Sequence, residues 1–337
     1  MNVFTRGLVV AGLMAATVAA HAQVNVYSSR KEVLIKPLLD TFTEQTGIEV
    51  KLLTGKDDAL LKRLAMEGMA SPADVLITAD VARLHRAKEQ GLTQPVVSNV
   101  LEGRIGAQWR DADGYWFGAT SRARPIIYAK DRVDPANLSS YEDLTDEQWR
   151  GRICIRSSSN VYNQSLVASK INADGAEATS EWLAGLVANF ARPPAGGDTD
   201  QIRAAAAGVC DIAIANTYYL ARLARSSKAA DNAVAESVAV FWPNQDGRGA
   251  HFNVSGIALT KAAKNRDEAV QLMEFMVSDE AQQWYADVNN EYPVVESVAV
   301  APVLQAFGEA KADSVALSRL GELNQQAIML MDQAGWR

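Results

Sequence analysis

Histidine is almost missing from this chain, with 3 in 337 residues, and cysteine is scarcer, with 2. Zinc sites draw on clusters of these two residue types, and His21, His85 and His251 with Cys154 and Cys210 cannot readily supply one. There is no H-E-x-x-H and no G-x-S-x-G. There is also no G-x-x-x-x-G-K-[ST] phosphate loop, and no G-x-G-x-x-G after a strand. A secreted hydrolase would need a nucleophile and a base in one constellation, and none is visible. His85, in the helical stretch Arg83-Leu84-His85-Arg86, reads as a solvated face residue. His251 is a candidate for lining a cleft.

Basic clusters and long apolar runs are missing too. Met1 to Gly7 carries Arg6 and no acid, Leu8 to Ala20 is apolar, and Ala20-His21-Ala22 is a small-x-small cleavage signal. Residues 1–22 read as a secretory signal peptide, too short and wrongly flanked for a membrane span. No lipobox cysteine is near. The rest of the chain then carries 32 basic residues against 40 acidic, a net −8. That balance argues against nucleic acid or an anionic membrane as the main partner. About 315 residues exceed what one core usually serves, so two lobes are expected.

What the chain does contain is strand–helix alternation. Val24–Tyr27, Ile48–Leu53 and Ala73–Thr78 read as strands, with helices from about Pro37 to Thr46, Asp58 to Glu67 and Val81 to Gln90. This β-α-β-α-β-α order predicts an α/β fold with mainly parallel sheets flanked by helices. A second α/β series runs from Gly151 through Cys210. No linker separates the two series, which suggests lobes joined by strands crossing near 118–124 and 241–252. The expected division is 23–120 plus 253–300 for one lobe and 121–252 plus 301–337 for the other. The stretch from Val303 to Met331 reads as helical and amphipathic.

Three tyrosines occupy similar positions in this pattern. Tyr218-Tyr219 follow the apolar run Ile212–Ala215 and precede the helical Leu220–Arg225. Tyr162 follows the short strand Arg152–Arg156, the polar run Ser157–Asn160 and Val161, and precedes a helix from Ser165. In an open parallel sheet, ligands bind at the carboxyl ends of strands, so the three phenols would meet at one sheet edge. Neighbours in mid-strand diverge, but at a helix N-terminus they converge, with Asn216 or Thr217 as cap. The N-terminal dipole favours negative charge there. A phenol titrates near pH 10, and a bound trivalent cation would deprotonate it. Hard anionic oxygen suits ferric iron. The competing account is ordinary half-buried tyrosine packing. Ser157–Ser159 read as a polar, capping turn, with oxyanion binding as the alternative. Cys154 and Cys210 each precede one tyrosine junction by eight residues. In an exported protein this predicts a disulfide between neighbouring strands, against two reduced core thiols.

Several segments, taken together, resemble periplasmic ferric-iron-binding proteins of ABC transporters over essentially the whole chain after residue 22. They are VNVYSSR (24–30), SPADV (71–75), RSSSN through YNQS (156–165), ANTYY (215–219), WPNQ with GRG (242–249), NVSG (253–256) and EYPV (291–294). The resemblance implies a two-lobe periplasmic binding protein, not an enzyme. Its lobes would close on Fe3+ and deliver it to an inner-membrane ABC permease. It further implies Tyr162, Tyr218 and Tyr219 as iron ligands and Arg122, Arg222 and Asn163 around them. The protein is expected to be a periplasmic monomer that is not membrane-inserted and has no nucleic-acid partner. The tyrosine-rich branch carries His-Tyr after its Ser-Ser-Arg, and here those positions are Lys31 and Glu32. Glu32 is therefore a candidate weak ligand, with helix capping as the alternative, and Arg30 a candidate holder of a carbonate completing the shell. A binding protein for a small anion or organic solute is the runner-up.

Overall fold

A computed structural model describes residues 22–337; the signal-peptide reading of 1–22 falls, apart from Ala22, outside the described residues. Among the described residues, nine strands form two sheets. They are β1 (Gln23–Ser28), β2 (Glu49–Thr54), β3 (Val75–Thr78), β4 (Phe117–Ala123), β5 (Ile126–Ala129), β6 (Ile153–Cys154), β7 (Ile212–Ile214), β8 (Val238–Phe241) and β9 (Phe252–Leu259). The first sheet has the order β2-β1-β3-β9-β4 and the second β6-β7-β5-β8. β3 and β4 are buried along their whole length, as strands covered on both faces should be.

The parallel pairs are β1–β2, β1–β3 and β6–β7. These belong to the strand–helix–strand units that the sequence shows. The other pairings are antiparallel, which mixes both sheets more than the alternation alone implies. The reason lies in the crossings. β4 ends at Ala123 in the first sheet, and β5 begins at Ile126 in the second. β8 ends at Phe241, and β9 re-enters the first sheet at Phe252. A chain that leaves a sheet and later returns to it runs back against its neighbours.

The helix Lys36–Thr46 starts with Pro37 in its first turn, where the missing N–H costs nothing, and a separate 3-10 turn, Glu32–Leu34, precedes it. The helix Val81–Glu89 is capped by Asp80, whose carboxylate accepts from Ala82 N at 3.0 Å. The helix expected from Ser165 starts earlier, at Val161, and continues to Ala188 across a break at Gly175 (φ 84°).

Two expectations are corrected. The stretch 303–331 is not one helix but three, Pro302–Gln305, Leu317–Glu322 and Asn324–Gln333. Between the first two, the backbone at Ala312 instead bridges to Ala250. His85 is not solvated, because the helix Leu317–Glu322 packs directly over the helix Val81–Glu89. Gly321 makes that approach possible, since a Cβ there would lie 2.4 Å from that of His85. The same helix also contacts Val161–Ala188, so the C-terminal segment touches helices from both series.

Candidate functional site

The site is assembled from two strand-to-helix junctions. β6 and β7 are parallel neighbours, with Ile153 opposite Ile212 and Cys154 opposite Ala213, so both chains leave the same sheet edge. After β6 the backbone turns through Ser157–Asn160, closed by Asn160 N donating to Ser157 O at 3.1 Å and by the two hydroxyls of Ser157 and Ser159 at 2.9 Å. Asn160 then caps the helix by accepting from Tyr162 N at 3.1 Å. This is the polar turn of the sequence reading. After β7, Asn216 occupies the cap position of the helix Thr217–Ala224 but makes no side-chain cap there. Its amide faces inward and donates to the Tyr218 hydroxyl at 3.2 Å. Cys154 and Cys210 form a disulfide with a Cα–Cα distance of 5.9 Å. The two are not at one height on paired strands, because Cys154 registers with Ala213 and Cys210 precedes β7.

Between the sheets lies a cavity of about 190 Å³. Tyr162, Tyr218, Tyr219, Arg122 and Arg222 line one part of it; Arg30, Lys31, Ser255 and Glu291 line another. The rings of Tyr218 and Tyr219 lie 4.4 Å apart, centroid to centroid. The Arg222 guanidinium stands 4.9 Å from the Tyr218 ring and 5.8 Å from that of Tyr219. Arg122 stands 5.1 Å from the Tyr162 ring.

Burial is the largest influence on the phenols, and it pushes those of Tyr162 and Tyr218 well above their usual range. Ionisation of a neighbouring phenol would push each further, while Arg122 pulls the other way. Tyr162 and Tyr218 are therefore neutral phenols on their own, and a strong positive charge among them would make them anionic. Among the described residues no group of three or more His, Cys, Asp or Glu is placed to hold a metal. The cavity lining instead carries the phenols of Tyr162, Tyr218 and Tyr219.

The arginines differ in their pairing. Arg122 donates to Asp80 at 2.9 Å, and Asp80 also accepts from Ser165 at 2.8 Å and Asn253 at 2.9 Å. Arg30 donates to Glu291 at 2.7 Å, with Thr120 on the other carboxylate oxygen at 2.7 Å. Burial alone would lower the Arg30 pKa, but Glu291 outweighs it and keeps the guanidinium charged. Among the described residues, Arg222 and Lys31 have no ion-pair partner.

Of the remaining sequence candidates, Asn163 is fully buried behind the cavity, bonded to Arg124 and to the carbonyls of Arg156 and Ser157. Glu32 is exposed in the first turn of its 3-10 helix and does not line the cavity. His251 is buried behind Tyr162 rather than on the cavity wall. Burial, reinforced by Arg248, Arg122 and Arg124, lowers its pKa far enough to keep it neutral. Sequence reasoning missed Arg124, Asp198, Asp80 and Glu291. Only the i, i+2 spacing of Arg122 and Arg124 on a crossing strand was a local signal.

Residues 38–312 match the family model described as bacterial extracellular solute-binding protein. This chain belongs to that family. The solute-binding protein is 50% identical over 324 residues to iron uptake protein A1 of Synechocystis sp., covering 96% of this chain and 90% of that one. A Trichodesmium protein solved in complex with iron and citrate ligands superposes with a TM-score of 0.90 at 51% identity, over 94% of this chain and 100% of the other. The ferric binding protein from Campylobacter jejuni gives a TM-score of 0.90 at 41% identity, over 93% and 100%. These two-lobe binding proteins share the architecture of this chain. Among the described residues no helix is long and apolar enough to cross a membrane.

Proposed function

We propose that this protein captures ferric iron in the cavity between its lobes, with the phenolates of Tyr162, Tyr218 and Tyr219 as ligands, and delivers it to an inner-membrane ABC permease. The observation that carries the reading is the convergence of three phenols, from two adjacent junctions, on one cavity. Three phenolates neutralise a trivalent ion. Arg122 and Arg30 already face Asp80 and Glu291, so Arg222 and Lys31 leave surplus positive charge. A small anion such as carbonate, completing the shell, balances it. The protein is a carrier rather than an enzyme and works in the periplasm. Its lobes divide at the two crossings, after Ala123 and before Phe252, within a few residues of the expected division of 23–120 plus 253–300 against 121–252 plus 301–337. The names of the relatives, iron uptake protein and ferric binding protein, support the same cargo.

The test is optical. Ferric ion added to the apo protein with bicarbonate should give a red to purple phenolate-to-iron charge-transfer band, titrating at one iron per chain. A colourless protein that nonetheless binds a phosphonate or sugar phosphate would overturn the reading in favour of an organic or anionic solute.

A further inference from the structure

One guanidinium touches both tyrosine junctions. Arg124, 1% exposed, pairs with the fully buried Asp198, donating from Nη1 at 3.1 Å and Nη2 at 3.2 Å. Nη1 also donates to Asn216 Oδ1 at 3.0 Å. Nη2 donates to Asn163 Oδ1 at 2.6 Å and to the Ile214 carbonyl at 3.1 Å. Asn163 directly follows Tyr162, and its amide ties down the carbonyls of Arg156 and Ser157. Asn216 lies two residues before Tyr218, and its amide is fixed by Arg124 so that Nδ2 points at the Tyr218 oxygen. The rigid planar fork of arginine suits this many simultaneous acceptors; lysine has no such fork.

We propose that Arg124, acting through Asn163 and Asn216, is a positioning residue for the metal site, and that Asn216 stabilises the Tyr218 phenolate. An N–H donated to a phenol oxygen favours its anion. Buried amide hydrogens oriented by a second partner tune ligands in the same way that outer partners of metal sites generally do. Asp198 holds the Arg124 charge in place; an unpaired guanidinium at this depth would be strongly unfavourable. The inference rests on the ferric reading above, since it concerns phenolate ligands.

The experiment compares wild type, Asn216→Ser and Arg124→Lys by ferric titration across pH. Serine is a good helix cap, so Asn216→Ser keeps the helix start while deleting the amide. Without that hydrogen bond the Tyr218 phenolate is a stronger electron donor, so the charge-transfer band should move to longer wavelength. Its parent phenol is a weaker acid, so the pH midpoint of loading should rise. Affinity should fall on the order of tenfold, as for loss of one hydrogen bond to a charged group. Arg124→Lys should shift the band and midpoint in the same directions, by more, if it folds. If wild type itself gives no band, the ferric reading fails. If wild type is coloured and Asn216→Ser has the same band and midpoint, the positioning role fails, whatever the fate of Arg124→Lys.

Discussion

The two walls of the cavity are built differently. The tyrosine wall rises from adjacent strands of one sheet, on helix N-termini, with a disulfide and the Arg124–Asp198 pair underneath. The opposite wall is a loop after β1 and the turn at Asn290–Glu291, and its central charges, Arg30 and Glu291, already satisfy each other. Burial raises the phenols of Tyr162 and Tyr218 on one wall. The other carries the Arg30–Glu291 ion pair, with Lys31, unpaired among the described residues, beside it. On the proposed reading, capture belongs to the tyrosine wall, and the facing wall closes over the ion more than it binds it. Side-chain contacts join the two sides, among them Ser165 to Asp80, Arg83 to Gln164 and Arg225 to Asn290 at 2.7 Å.

Breaking the tyrosine wall should have the largest effect. Phenylalanine at 162, 218 or 219 keeps the ring and deletes the oxygen. Each single variant should fold with a wild-type far-UV circular dichroism spectrum. Each should lose iron affinity by more than about 100-fold, because displacing merely a partner of a metal ligand already costs 10- to 100-fold. Competition against a chelator of known affinity measures it. Three variants that bind like wild type would remove the distinction between the walls.

The second effect is on pH. Burial raises the Tyr162 and Tyr218 phenols above 10.0, and loading must release their protons, so iron affinity should fall as pH falls. The apo protein carries a complementary signature. A group whose folded pKa is raised stabilises the fold below its unfolded pKa and loses that contribution as pH rises through the folded value. Apo stability should therefore decline from about pH 10 upward, while the iron-loaded form, whose phenols are already anionic, should not follow. Thermal melts of both forms between pH 8 and 11 test this, and parallel curves would mean that the phenols are not the groups that change charge on loading.

A smaller effect is expected where the walls meet. Arg225, at the end of the helix that begins with the tyrosine pair, donates to Asn290 Oδ1 and to the Asp287 carbonyl. It is exposed, so the contact contributes little. Arg225→Ala should speed iron release into excess chelator about threefold and leave the charge-transfer band unmoved, as an exposed contact worth under 1 kcal/mol would. An unchanged release rate would mean that opening of the facing wall does not limit release.

Much of the tyrosine wall was legible in the sequence, because strand–turn–helix patterning is local. The apolar run before Tyr218, the Ser-Ser-Ser-Asn turn before Tyr162 and both crossings could be read from neighbouring residues. What holds the wall was not legible. Arg124 meets Asp198 and Asn216 across 74 and 92 residues, and Arg30 meets Glu291 across 261. No periodicity announces such a pair. His85 failed for the same reason, since the helix that covers it arrives more than 200 residues later in the chain. The helix read across 303–331 failed because the backbone bridge from Ala312 to Ala250 competes with helix formation there. The Cys154–Cys210 offsets suggested paired heights, but strand register places Cys154 opposite Ala213 instead.

The smallest effect sharpens the comparison most, because it asks whether the facing wall supplies any ligand at all. Lys31 lines the cavity, while its neighbour Glu32 opens the 3-10 turn and is exposed to solvent. An acid in a first helical turn gains a little from the N-terminal dipole, typically 0.3–1 kcal/mol, so Glu32→Gln should lower thermal stability slightly. Iron affinity should change by less than about twofold, which corresponds to roughly 0.4 kcal/mol. Repeating the titration with and without bicarbonate separates two ways in which the prediction would break. A drop in affinity that bicarbonate restores would mean that Glu32 and the anion compete for the same coordination position. A drop that bicarbonate does not restore would mean that the loop refolds on loading and brings the carboxylate to the metal. In either case the facing wall would be a ligand-bearing surface, and the division between a capturing wall and a closing wall would have to be given up.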